Sequence, residues 1–209
     1  YNGNFAVFSF FVLSGYVLSI KFFRTKDSDI IRASAIKRYF RLAIPVFFSV
    51  LLAYILLILN AYDTFAQYTG DLRYEEMSQN LFVMLKTALF DIFFNYSNAY
   101  NGVLWTMTYE LFGSFLIFSF LVLFGGNPKR PFVYVLLVIL FWDSYYLAFI
   151  LGMLLSDIFN SPNLAAKGKN NKLATFILLL FGIFLGSYPY GETAGTMYEF
   201  LNVDFLDVN

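Results

Sequence analysis

The 209 residues contain no cysteine and no histidine. The first absence excludes disulfides, thiolate-bound metals and cysteine nucleophiles. The second removes the commonest neutral-pH general base and metal ligand, so no metal site is expected. Charge is scarce too, at 13% of residues, and lysine plus arginine equal aspartate plus glutamate at 14 each. A zero net charge gives no general attraction to nucleic acid, and no such partner is expected.

What is abundant is apolar: 59% of residues are hydrophobic, with 28 Phe and 16 Tyr. They come in long blocks separated by short charged stretches, the pattern of a polytopic membrane protein. The expected fold is all-α, a transmembrane helix bundle forming a single unit over residues 1–209, with the lipid bilayer as its partner. About six spans are expected: Phe5–Phe23, Leu42–Asn60, Val103–Phe124, Phe132–Trp142, Tyr145–Phe159 and Leu173–Tyr188. The two pieces divided by Asp143-Ser144 are short for spans, and one long interrupted helix is the alternative. Leu81–Phe94 is apolar but carries Lys86 and Asp91, and is read as an interfacial or re-entrant helix. Asn95-Tyr96-Ser97 matches a glycosylation sequon, a triplet that arises often by chance.

In the first span, Gly15 and Ser19 at i, i+4 allow another helix to approach closely. Ser14 and Gly15 are both read as packing residues. Twelve of the 14 lysines and arginines fall in or beside the stretches 24–41, 125–131 and 160–172, which are therefore expected to be cytoplasmic. The acidic residues of 61–102 and of the tail after Pro189 face the other side. A chain that begins with Tyr is expected to be a fragment.

One carboxylate lies inside a spanning segment. Glu110 follows Leu104-Trp105-Thr106-Met107-Thr108-Tyr109, and Thr106, Gly113 and Ser114 share its face at i−4, i+3 and i+4. An ionised side chain at mid-bilayer costs roughly 2.5–3.5 kcal/mol on insertion scales, so Glu110 must face protein or water and is the candidate catalytic residue. An interhelical hydrogen bond alone is the bland alternative. Arg38 and Arg41, at i and i+3 before Leu42, present two guanidinium forks that suit a polyphosphate, with Lys37 as an auxiliary charge. These cations are placed at one membrane face and Glu110 in the opposite outer third. Trp105 fits an interface belt of indoles.

Three patterns taken together resemble the membrane-bound acyltransferase 3 family: Phe10-Phe11-Val12-Leu13-Ser14-Gly15-Tyr16, Lys37-Arg38-Tyr39-Phe40-Arg41-Leu42 with Pro45, and Leu104 to Glu110 with Gly113-Ser114. The similarity runs from Phe5 to about Leu185, though beyond Phe118 it is mainly hydropathy. Where many bacterial relatives carry a second acidic residue after the glutamate, Leu111 stands here.

The resemblance implies a multi-pass integral membrane O-acyltransferase moving an acyl group, often acetyl, from acyl-CoA to a hydroxyl of a carbohydrate or other small-molecule acceptor. Acyl-CoA (acetyl-CoA) is then a co-substrate, and no cofactor is held permanently. Arg38 and Arg41 would bind coenzyme A phosphates, and Trp105 and Tyr109 would line the acceptor pocket. Glu110 would orient a histidine or position the acceptor hydroxyl. That histidine lies, in relatives, on a helix before the FFVLSGY helix. Residues 1–209 are therefore expected to lack a first helix and C-terminal helices, and to be inactive alone. A transporter or flippase is the competing reading, since intramembrane carboxylates also line substrate paths.

The charge asymmetry gives a direct test. Single cysteines at Ser28 and Thr64 should react with an impermeant thiol reagent from opposite sides of the membrane; labelling from the same side refutes the topology.

Overall fold

The computed structural model describes residues 3–27, 29–62 and 77–160. The expected last span, Leu173–Tyr188, the 160–172 lysines and the acidic tail lie almost wholly outside these residues, as does most of the 61–80 stretch. Among the described residues there is helix and no strand. Three helical stretches are long and apolar enough to cross a membrane: Gly3–Thr25, Ile31–Ile58 and Gly102–Phe124.

α1 (Gly3–Thr25) follows its expected span closely. α2 (Asp29–Ile58) does not, because the helix starts 13 residues before Leu42 and takes in the basic stretch. The reason is facial: Ile31, Arg38, Ala43, Val46 and Val50 turn toward the bundle, while Arg32, Lys37 and Arg41 stay exposed. Pro45 consequently sits in the helix interior and not in its first turn. Its missing N–H leaves one i−4 bond unmade, which membrane helices tolerate when neighbours support the backbone.

α3 (Leu81–Lys86) starts at an Asn80 cap whose side chain accepts from the Phe82 N–H. It continues through a π-helical turn, Thr87–Asp91, into a last turn, Ile92–Phe94. The wider π turn lets residues five apart share a face, and Lys86 meets Asp91 at 3.2 Å. The stretch packs antiparallel to α2: Tyr54 donates to the Gln79 carbonyl near its start, while Tyr39 bonds the Leu89 carbonyl and sets its ring, tilted, 5.3 Å from that of Phe93 near its end. The chain then climbs back, so that Tyr100 donates to the Ser78 carbonyl at 2.7 Å and Asn101 to Ser49 at 3.0 Å. Entering and leaving at one end makes this a re-entrant segment, one of the two alternatives read for Leu81–Phe94. It also places the Asn95 sequon inside the bundle's depth.

A 3-10 turn, Gly102–Trp105, leads into α4 (Thr106–Phe124). α5 (Arg130–Leu140) and α6 (Tyr146–Asn160) are separate helices that fold back on each other, not one long helix. Arg130 grips Asp157 through Nη2 at 2.8 Å and Nε at 2.7 Å at one end, and Phe141 meets Tyr146 at the other. Lys26 ends α1 in a left-handed conformation, φ 59°, with its ammonium 5.0 Å from the Phe23 ring that Arg130 also covers at 5.7 Å. Burial, and then the Arg130 charge, hold that ammonium below its usual range.

Two apolar cores flank α4. One joins it to α1, α5 and α6 around Phe11, Ile117, Leu121, Phe149 and Met153. The other joins it to α2 and the re-entrant segment around Val50, Met84, Phe93 and Leu111. α1 and α6 run parallel in the most extensive contact of the bundle, and their backbones touch. A Cβ at Gly152 would lie 2.0 Å from the Val12 carbonyl oxygen, and one at Gly15 would lie 2.2 Å from that of Phe149. Gly15 therefore does what its spacing implied, against the Phe149 backbone of α6. Ser19, fully buried, returns its hydroxyl to the Gly15 carbonyl at 2.7 Å.

Gly152→Ala should force α1 and α6 apart and lower unfolding stability by about 1–3 kcal/mol, the usual penalty of overpacking. Gly126→Ala, where nothing lies within 4 Å of the added Cβ, is the control and should change little. Denaturant unfolding in detergent micelles measures both.

Candidate functional site

Arg38 is nine residues along α2 from Asp29, about 13 Å, and Glu110 is eight along its own helical stretch from Gly102, about 12 Å. The helices are antiparallel, so the two positions approach one level from opposite ends, and the long arginine side chain closes the remaining gap. Arg38 Nη2 pairs with Glu110 Oε2. The expected separation of the arginines from the glutamate is thus corrected for Arg38. It arose from starting α2 at Leu42, which left Arg38 at the membrane face.

The carboxylate is held on every side. Ser14 of α1 donates to Oε1 at 2.7 Å, and Arg38 Nε donates to Ser114 Oγ at 2.7 Å. Ser114 in turn donates to the Glu110 carbonyl one helical turn back. The side chains of Arg38 and Glu110 are 16% and 2% exposed, so the pair is desolvated and nearly enclosed. Its net charge is zero, which is how two ions can stand at this depth. The small stripe of Thr106, Gly113 and Ser114 is buried as its spacing implied, and the Phe149 ring of α6 lies on Gly113. Ser14 is more than a packing residue; the signal that could have found it was its place in the FFVLSGY pattern.

Arg41 and Lys37 do not join this centre. Both are exposed on α2, so the i, i+3 pair splits, with one guanidinium turned inward and the other outward.

Tyr109, next to Glu110, gathers five rings with centroids at 5.2–6.1 Å: Phe11, Tyr96, Trp105, Tyr145 and Tyr146. Trp105 therefore packs in an aromatic cluster with Tyr109, 5.7 Å away, and is only partly exposed. Tyr96, Tyr145 and Tyr146 were not singled out from the sequence, because in a chain this rich in tyrosine no spacing distinguishes them. Among the described residues, no group of His, Cys, Asp and Glu side chains could hold a metal ion.

Compared with known families, residues 1–200 match the acyltransferase 3 model, described as an acyltransferase domain. No curated protein and no solved structure matches the chain.

A buried pair is most sensitive to losing one partner. Glu110→Gln or Arg38→Met alone should lower stability by about 3–5 kcal/mol, whereas the double variant should lose clearly less than the sum. A double-mutant cycle in unfolding free energy measures this; additive losses would show that the two groups are not coupled.

Proposed function

The chain belongs to the acyltransferase 3 family, and we propose that it transfers an acyl group, acetyl foremost, from acyl-CoA to a hydroxyl of a carbohydrate or other small-molecule acceptor. The observation that carries this reading is the Arg38–Glu110–Ser14 network, an ordered carboxylate enclosed by three helices within an apolar layer. In such a reaction the acceptor oxygen attacks the thioester carbonyl, the C–S bond breaks, the hydroxyl proton passes to a base and the departing thiolate takes a proton. Glu110 is the carboxylate proposed to accept the hydrogen bond of that hydroxyl, or of a base that takes its proton. Arg38 and Ser14 would fix its orientation before substrate arrives, which is what positional catalysis requires.

The proposed donor site lies on the same helix. Arg41, about one turn beyond Arg38, and Lys37, its immediate neighbour, are exposed cations, and a guanidinium at Arg41 can take two phosphate oxygens at once. Arg38 then links the phosphate end of the donor to the carboxylate. Trp105 and Tyr109 are proposed to line the acceptor pocket, because their rings meet at 5.7 Å and Tyr109 is next to Glu110 in the chain.

Arg41→Ala should weaken acyl-CoA binding about tenfold or more without loss of stability, and Arg41→Lys should restore only part, since a point charge cannot make the paired contact. Arg38→Ala should lose both affinity and stability. Equilibrium acyl-CoA binding by the full-length protein in detergent reads both; if Arg41→Ala inserts normally and keeps its affinity, that arginine is a topology anchor.

A further inference from the structure

The re-entrant segment holds both helices that carry the ion pair, and it does so right beside the pair. On α2 the Tyr39 hydroxyl donates to the Leu89 carbonyl, and the Tyr39 ring lies 5.3 Å from that of Phe93. On α4 the Thr108 hydroxyl donates to the Ile92 carbonyl at 2.6 Å, in a bond with both residues buried. Tyr39 follows Arg38 directly in sequence, and Thr108 stands two residues before Glu110. Two hydroxyls, one from each charged helix, thus take carbonyls three residues apart in one short element.

Both carbonyls belong to the π turn or its edge. Leu89 lies within Thr87–Asp91, and Ile92 is the first residue after it. π turns are rare, and they concentrate at functional sites. A backbone carbonyl has two lone pairs, so each can accept a side chain from outside its own element. Thr108 had a local alternative, because a helical threonine commonly bonds a carbonyl of its own preceding turn. Thr106 does that, donating to the Val103 carbonyl at 2.9 Å. Thr108 reaches across to the re-entrant segment instead.

Arg38 has a long side chain with several rotatable bonds, so its contact with Glu110 does not by itself fix how α2 and α4 are turned. The two hydroxyl contacts can. Successive residues of a helix stand about 100° apart, so holding Tyr39 fixes the direction in which Arg38 leaves α2. Thr108 and Glu110 stand about 200° apart around α4, which ties one face to the re-entrant segment while the carboxylate turns to Arg38 and to Ser14 of α1. We propose that Tyr39 and Thr108 are positioning residues: through the Leu89 and Ile92 carbonyls they set the rotation of α2 and α4, and so aim Arg38 and Glu110 at each other. The effect on turnover rests on the transferase reading; the effect on the ion pair does not.

The test uses the full-length protein in detergent. Tyr39→Phe keeps the ring and removes the hydroxyl, Thr108→Val keeps the shape and removes the hydroxyl, and Thr108→Ser keeps the hydroxyl. The first readout is the coupling between Arg38 and Glu110, from the double-mutant cycle in unfolding free energy repeated in each background. Coupling should fall to about half or less with Tyr39→Phe and with Thr108→Val, and return with Thr108→Ser. The second readout is acyl-CoA turnover. A misplacement of about 1 Å can cost about a hundredfold in rate, so kcat should fall about tenfold or more in the two hydroxyl-less variants while the Kd for acyl-CoA stays within about twofold. A bond that is only structural would lower unfolding stability but leave the coupling unchanged, and that result overturns the proposal. If Thr108→Val does not fold, the Tyr39→Phe cycle decides alone. Weakened coupling with unchanged kcat overturns the positioning role in the reaction. Absence of turnover in the unsubstituted protein as well is a failure of the transferase reading, and the coupling still decides whether the two hydroxyls aim the pair.

Discussion

Two opposite charges that meet in a hydrocarbon layer constrain everything around them. Either one alone would carry the full desolvation penalty, and together they are tolerable only with good geometry and with their remaining hydrogen bonds satisfied. Arg38 and Glu110 meet these conditions through Ser14 and Ser114, which come from two helices, α1 and α4. The pair therefore fixes the relative height of α1, α2 and α4. A slide of one helix by a single turn, about 5.4 Å, would break contacts that nothing else nearby could replace.

The close packing of α1 on α6 has the opposite character. Its centre holds no ion pair, and backbone meets backbone at Gly15 and Gly152. Lipid chains are as apolar as leucine, so helices in a membrane gain little from hydrophobicity and must gain from fit. One side of the molecule is thus held by electrostatic register and the other by shape. The Phe149 ring connects them, lying against Gly113 of α4 and stacking at 4.8 Å on Phe11 of α1.

Much of this was readable from residue order. The limits of α1 and α4 followed from runs of apolar residues, Glu110 stood out as a lone carboxylate in such a run, and Gly15 announced a close helix contact. What could not be read was depth. Hydropathy marks where apolar residues begin, but a helix begins where its backbone bonds do, and the charges of 29–41 hid 13 residues of α2. That one misplacement put Arg38 at the membrane face, far from the carboxylate it neutralises. The tyrosines around Tyr109 escaped for another reason: they come from segments distant in sequence, and only the fold brings Tyr96 and Tyr146 to within 5.5 and 5.3 Å of the Tyr109 ring.

The π turn at Thr87–Asp91 has a consequence for how this protein can vary. Such a turn is an α-helix carrying one residue too many. Loss of one residue from 87–90 would restore ordinary winding and leave Lys86 and Asp91 four apart, a spacing that still holds them on one face of an α-helix. At this place the chain can therefore shorten by one position with the ion pair intact, whereas an added position would turn Asp91 about 100° away from Lys86.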